Sequence, residues 1–285
     1  MKKTLLVLAL LLVATTICPA FAEKNHGGSG HKTAHDADAA YAKGDYQTAY
    51  EIWLTFADKG SYAQYSLGRL YANGQGVAQS NRTARDWWQK SMRDIEQSRV
   101  LLSILPEPSD PQYTYATIHE KWQPAAAAGD ADTQYKLAFL YLTGIGVPQN
   151  DTKALIWFEK AANQNHAAAQ YQLGKIHDRS NRVPCAAAQA IQWWEKASAL
   201  GNADAQNILA LRYDMGFHLT PHYPRDECRA IALREQAAAQ GHPEAQTWLA
   251  QTYMYDQPHC NLVANRDKAR ALLEQAIANG SKRTR

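Results

Sequence analysis

Few residues in this chain have the types and spacings that do covalent chemistry. Ser29-Gly30-His31-Lys32 spells Ser-x-x-Lys, in which a lysine can activate a serine for acyl transfer. That pairing needs a helix to bring the two side chains together, and a glycine-flanked stretch provides none. His26, His31 and His35 offer imidazoles to a transition metal, but without rigid scaffolding or a nearby cysteine they read as a solvated leader. Gly74-Gln75-Gly76 and Gly144-Ile145-Gly146 have phosphate-loop glycines without the preceding strand or a following Gly-Lys-Ser/Thr. No His-Glu-x-x-His, Gly-x-Ser-x-Gly or Cys-x-x-Cys occurs. The sequence therefore predicts neither an active site nor a cofactor.

The elements that would position any site are set by a repeat. Gln64, Gln134, Gln170, Gln206 and Gln246 occupy equivalent places, separated by 70, 36, 36 and 40 residues, and Gln97 near the middle of the first gap marks a worn copy. Ala84, Ala154, Ala190, Ala230 and Ala269 open the apolar stripe of a second helix. Gly60, Gly129, Asn165, Gly201, Gly241 and Gly280 close each unit. A period near 36 residues is the mark of a helical array. Residues 92–129 keep helical composition but lose the cassette, and Pro106, Pro108 and Pro111 require a loop there. Ala49, Ile52, Trp53 and Phe56 form one helical stripe before the first full unit, with its first helix missing or abbreviated.

Residues 1–22 are expected to be a signal peptide: a Lys2-Lys3 start, an apolar run from Leu5 to Val13 too short to span a bilayer, and Ala20-Phe21-Ala22 as the cleavage site. Ile17 and Pro19 argue against lipidation of Cys18. The expected location is the periplasm, with no integral membrane segment after cleavage. Residues 23–37, rich in Gly, Ser, Lys and His, read as a flexible linker, and 281–285 as a basic tail. The remaining chain carries 28 basic and 27 acidic side chains, a balance that gives no overall attraction to nucleic acid. Three cysteines then remain. Cys228 with Cys260 is favoured by a small margin over Cys185 with Cys228 as a structural staple.

Residues 131–147 (ADTQYKLAFLYLTGIGV) followed by 153–162 (KALIWFEKAA) resemble the Sel-one-like repeat family, a subclass of tetratricopeptide-type arrays. The resemblance covers about Asp38 to Gly280. It implies an all-α, right-handed superhelical solenoid of about six helix hairpins, one degenerate, with units near 38–60, 61–91, 92–129, 130–165, 166–201, 202–241 and 242–280. The turns depart from the family: Asp178 to Arg182 has lost both glycines, Gly216 to Leu219 keeps one, and the last unit has none. Stacked hairpins share a continuous core, which places the tryptophan pairs at core positions and the repeated glutamine in a buried hydrogen-bonding role.

By analogy with this repeat class, the concave face would carry Tyr65, Arg69, Tyr135, Phe139, Tyr171, Lys175, Asn207, Leu211 and Gln251. Tyrosine and arginine are enriched in protein-binding patches, though tyrosines here equally serve to finish packing between units. Phe217, His222 and Tyr223, in a long turn, form a second expected contact region. The resemblance implies a non-catalytic protein binder: an immunity or inhibitor protein against a secreted, phospholipase-like type VI effector, or an envelope assembly adaptor. A β-lactam-binding or hydrolysing role, linked to cysteine-rich relatives, is opposed by the absence of a regular cysteine pair in each unit.

Overall fold

Fourteen α-helices run through residues 33–58, 60–105, 114–179, 184–216 and 225–280, the residues that the computed structural model describes. No strand occurs among them. Residues Ala34–Arg285 form one compact unit. In order, the helices are α1 Ala34–Ala42, α2 Tyr46–Phe56, α3 Ser61–Asn73, α4 Asn81–Ser91, α5 Glu96–Ile104, α6 Tyr115–Ala127 and α7 Ala131–Thr143. The second half comprises α8 Asp151–Ala162, α9 Ala167–Arg179, α10 Pro184–Ala199, α11 Ala203–Met215, α12 Glu227–Ala239, α13 Pro243–Thr252 and α14 Arg266–Ala278. The solenoid begins earlier than the apolar stripe predicts: α1 supplies the abbreviated first helix, with Ala37 buried in the cluster around Trp53.

The sequence starts these helices locally. Ser80, Asp130, Asn150, Asn202, Asp226 and Asn265 each accept a backbone N–H three residues on, satisfying a donor that the first turn leaves free. Hairpin turns are closed by Gly76 and Gly146, at φ 69° and 70°. A Cβ there would lie 2.7 Å from the Tyr46 backbone and 2.4 Å from the Tyr115 backbone, so only glycine lets the turn seat on the second helix of the preceding unit.

The repeated glutamine joins units. Its Nε2 donates to a carbonyl near the end of the preceding second helix: Gln64 to Ala57 (2.7 Å), Gln134 to Ala126 (2.9 Å), Gln170 to Ala162 (3.0 Å), Gln206 to Ser198 (3.4 Å) and Gln246 to Ala238 (3.2 Å). These carbonyls belong to the last turns, and those of Ala126, Ala162, Ser198 and Ala238 also accept the N–H three residues on, so the strut is an added bond that ties one unit to the next. The series skips Gln97.

Each first helix packs on its own second helix and on the second helix of the unit before, with one exception. Among the described residues α5 and α6 do not pair; α5 lies against α4 and α7 instead. Its carbonyl end is held by Arg85 Nη1 donating to Leu105 (3.1 Å), and Ser91 and Ser98 share a hydroxyl contact of 2.6 Å. Asn73, at the end of α3, donates to the Gly144 carbonyl (2.7 Å) and accepts from the Gly146 N–H (2.9 Å). These bonds join the second and fourth units directly at the end where a regular third hairpin would separate them.

The tryptophan pairs are only half core. Trp88 and Trp194 are fully buried, whereas Trp87, Trp157 and Trp193 are half-buried. Each of the latter is covered by the ammonium of a lysine three residues on: Lys90 at 4.2 Å, Lys160 at 4.1 Å and Lys196 at 4.2 Å from the ring centroid. The pair straddles the edge of the apolar stripe, so its first ring meets solvent through a cation.

Candidate functional site

The nine residues expected on one open concave surface are not all open. Tyr65 is buried, and Arg69 lies over the Tyr41 ring at 4.8 Å while its Nη2 donates to Tyr41 Oη (3.1 Å). Helix α1 thus closes this end. Phe139 is 1 % exposed and Tyr135 is 7 % exposed, with Tyr135 stacked on His166 at 4.7 Å. The displaced α5 explains this burial, because Leu101 and Leu105 share an apolar cluster with Tyr135 and Phe139. Direct partner contact through Phe139, as expected from its register, is therefore ruled out in this structure.

The polar side of α5 reaches two and three units further. Glu96 accepts from Gln172 Nε2 (2.8 Å) and forms an ion pair with Lys175. Arg99 Nη2 is 3.3 Å from Asp204 Oδ1, which also meets His242 Nε2 at 3.3 Å. Burial pushes the Asp204 carboxyl up, but the His242 hydrogen bond and the Arg99 charge outweigh it and hold the group below the usual aspartate value. Burial, then the charges of Glu96 and Asp204, push the phenols of Tyr135 and Tyr171 far up, so both remain protonated. Tyr171 and Lys175 are consequently half-buried parts of an internal contact, and Asn207 donates to Glu244 at 3.3 Å.

Leu211 and Gln251 border an open cleft of about 420 Å³ between α11, α12 and α13. Arg234, 3 % exposed, pairs with Asp214 and lies over the Trp248 ring at 5.1 Å. Arg234 stands four residues after Ala230, the register place held by Trp88, Phe158 and Trp194 in other units. A guanidinium in place of a large ring gives the wall a polar, charged side, and Met215, 50 % exposed, flanks it. Arg225 pairs with Glu227 at the rim. Sequence reasoning missed Arg234, Trp248 and Met215; the break in the aromatic register at Arg234 was the readable signal. Phe217, His222 and Tyr223 lie outside the described residues, as do Ser29, His26, His31 and the expected signal peptide. Cys228 and Cys260 form a disulfide (2.06 Å) between the start of α12 and the 3-10 turn Pro258–Cys260.

With repeat, struts and turns in view, comparison with known proteins decides the family. The Sel1 repeat model matches residues 61–91, 131–166, 167–202, 203–242 and 243–281. The chain belongs to the Sel1 repeat family. The unmatched 92–130 is the stretch containing α5 and α6, where the hairpin is broken. Among solved structures, c5321, described as a protective antigen of uropathogenic Escherichia coli with an SLR fold, is 26 % identical with a TM-score of 0.53 over 87 % of this chain. This Sel1 protein spans only 54 % of the c5321 chain. A Sel1 repeat protein from Oxalobacter formigenes is 25 % identical with a TM-score of 0.55, covering 88 % of this chain and 73 % of that one. Immunity protein Pa5087 of Pseudomonas aeruginosa is 16 % identical with a TM-score of 0.36 over 87 % of this chain and 83 % of its own, too distant to carry functional weight. No curated protein sequence matches the chain. No helix among the described residues is long and apolar enough to cross a membrane.

Proposed function

We propose that this Sel1 repeat protein is a protein-binding module without chemistry of its own, and that it holds its partner at the cleft between α11, α12 and α13. The carrying observation is that the cleft is open where α1 and α5 cover the equivalent face of earlier units. Its lining combines half-buried Trp248, the exposed rim arginine Arg225 and the exposed Met215, side-chain types that anchor protein interfaces. A largely preformed surface of this kind binds at low ordering cost.

The finer reading is an exported immunity protein that neutralises a secreted enzyme of the phospholipase-effector kind. It draws support from the signal-like N-terminus and from a repeat family used for protein binding. Blocking an enzyme requires only a complementary surface. The test is retention of partners from envelope extract and from products of neighbouring genes, using the mature chain and the variant Leu211→Glu/Met215→Glu. One retained secreted enzyme, inhibited on binding and released by the variant, supports the reading. Retention unaffected by the variant moves the interface elsewhere, recovery of envelope assembly components makes the protein an adaptor, and the absence of any retained protein overturns the binding role.

A further inference from the structure

One cluster of metal-ligand residues borders the proposed cleft, with Glu227 at the shared rim, but its chemistry does not rest on the protein-binding reading. Cys228, His259 and Cys260 place two sulfurs and an imidazole nitrogen within 4.8 Å of one another. His259 Nε2 is 2.5 Å from Glu227 Oε2, which leaves Nδ1 as the ring nitrogen free to ligate. We propose that on reduction of the Cys228–Cys260 disulfide these three side chains form a zinc site, with water as the fourth ligand and Glu227 orienting the histidine.

A staple alone needs no histidine backed by a carboxylate, and His259 is half exposed. Two thiolates and one imidazole are the donor set of open tetrahedral zinc sites, and a carboxylate on the distal ring nitrogen is their usual support. Both arms of the site are held by backbone. Cys228 sits in the first turn of α12 behind the cap Asp226, where the helix N-terminus favours a thiolate. His259 and Cys260 sit on a turn fixed by Gln257 and Leu262, which exchange backbone hydrogen bonds of 2.8 and 3.2 Å. Asp226 and Glu227 add negative charge at this edge, and Arg225, paired with Glu227, is the competing cation.

The chemistry balances with a dithiol reductant. Thiol–disulfide exchange passes two electrons and two protons to the protein sulfurs as the dithiol becomes a disulfide. Zinc then displaces the two thiol protons, so uptake of one ion near neutral pH releases about two protons.

The experiment reduces the full chain with a phosphine, removes the reductant under anaerobic conditions, and titrates zinc against a chromophoric chelator, with cobalt as a spectroscopic probe. One equivalent of zinc is expected, with a thiolate-to-cobalt charge-transfer band absent from the oxidised chain. Glu227→Gln should weaken binding roughly 10-fold, as loss of a supporting carboxylate does, and Cys228→Ser/Cys260→Ser should abolish the band of the one-equivalent site. His259→Ala, which leaves the disulfide able to form and so keeps the oxidised fold, should weaken zinc uptake by still more. The proposal is overturned by a reduced chain with no cobalt–thiolate band, whether or not circular dichroism shows it folded. It is equally overturned by unchanged zinc affinity in His259→Ala or in Cys228→Ser/Cys260→Ser.

Discussion

Gly174→Ala puts the packing of the array to a direct test, because two effects of opposite sign meet at one atom. Gly174 lies mid-helix in α9, where alanine would be preferred by about 1 kcal/mol on propensity alone. A Cβ at that position would lie 2.1 Å from Trp194 Nε1 and 2.3 Å from Cδ1, far inside van der Waals contact with a fully buried ring. The same indole donates to the Tyr171 carbonyl at 3.2 Å. Overpacking typically costs about 1–3 kcal/mol, and the strained hydrogen bond adds about 0.5–1.5 kcal/mol. After subtracting the propensity gain, Gly174→Ala should destabilise by about 0.5–3.5 kcal/mol.

The chain contains its own control. Gly68 faces Trp88 with the same closeness, 2.3 Å, while Ala138 holds the glycine register place in the unit where Phe158 replaces the tryptophan. Gly174→Ala/Trp194→Phe copies that unit and should recover much of the loss, giving a favourable coupling on the order of 1 kcal/mol in a double-mutant cycle. Urea unfolding followed by far-UV circular dichroism avoids the fluorescence change that Trp194→Phe brings. Stabilisation by Gly174→Ala, or additivity of the two substitutions, would refute the steric argument.

Gln134→Leu should remove the strut to the Ala126 carbonyl, which keeps the Gly129 N–H, and cost about 0.5–1.5 kcal/mol, read as a lower urea midpoint; an unchanged midpoint would make the strut ornamental. Glu96→Ala should loosen α5, raising hydrogen exchange of its amides roughly tenfold or more, since a charge-assisted hydrogen bond is worth about 1.5–3 kcal/mol. Arg99→Ala, at a more exposed pair, should change exchange little, consistent with about 0–1 kcal/mol for surface ion pairs. Burial pushes His119 and His177 below the usual histidine value, so the unfolded chain binds protons that the folded one refuses. Their contribution is present above about pH 6.5 and is lost as pH falls below it. His119→Gln should flatten the decline in stability between about pH 7 and pH 5.5, and an unaltered slope would remove His119 from the account.

Local signals were enough for the repeat, because they recur with the period. Caps such as Asp130 and Asn150, the glycines at 76 and 146, the strut glutamines and the Ala-then-aromatic register each act within one hairpin or between neighbours, so their spacing alone implied a stacked helical array. The sequence also showed that 92–129 breaks the pattern. Where the broken segment goes was decided by tertiary structure: nothing in the local spacing of Glu96 and Arg99 announces partners 79 and 105 residues away at Lys175 and Asp204. That placement buries Phe139, which its register alone would put at the surface, and leaves the open cleft near Arg234. Burial depends on what else the chain lays across a face, and neither helix period nor residue type carries that information. The same holds for the cysteines, where sequence offered two close pairings and the approach of the Pro258–Cys260 turn to the start of α12 joined Cys228 to Cys260.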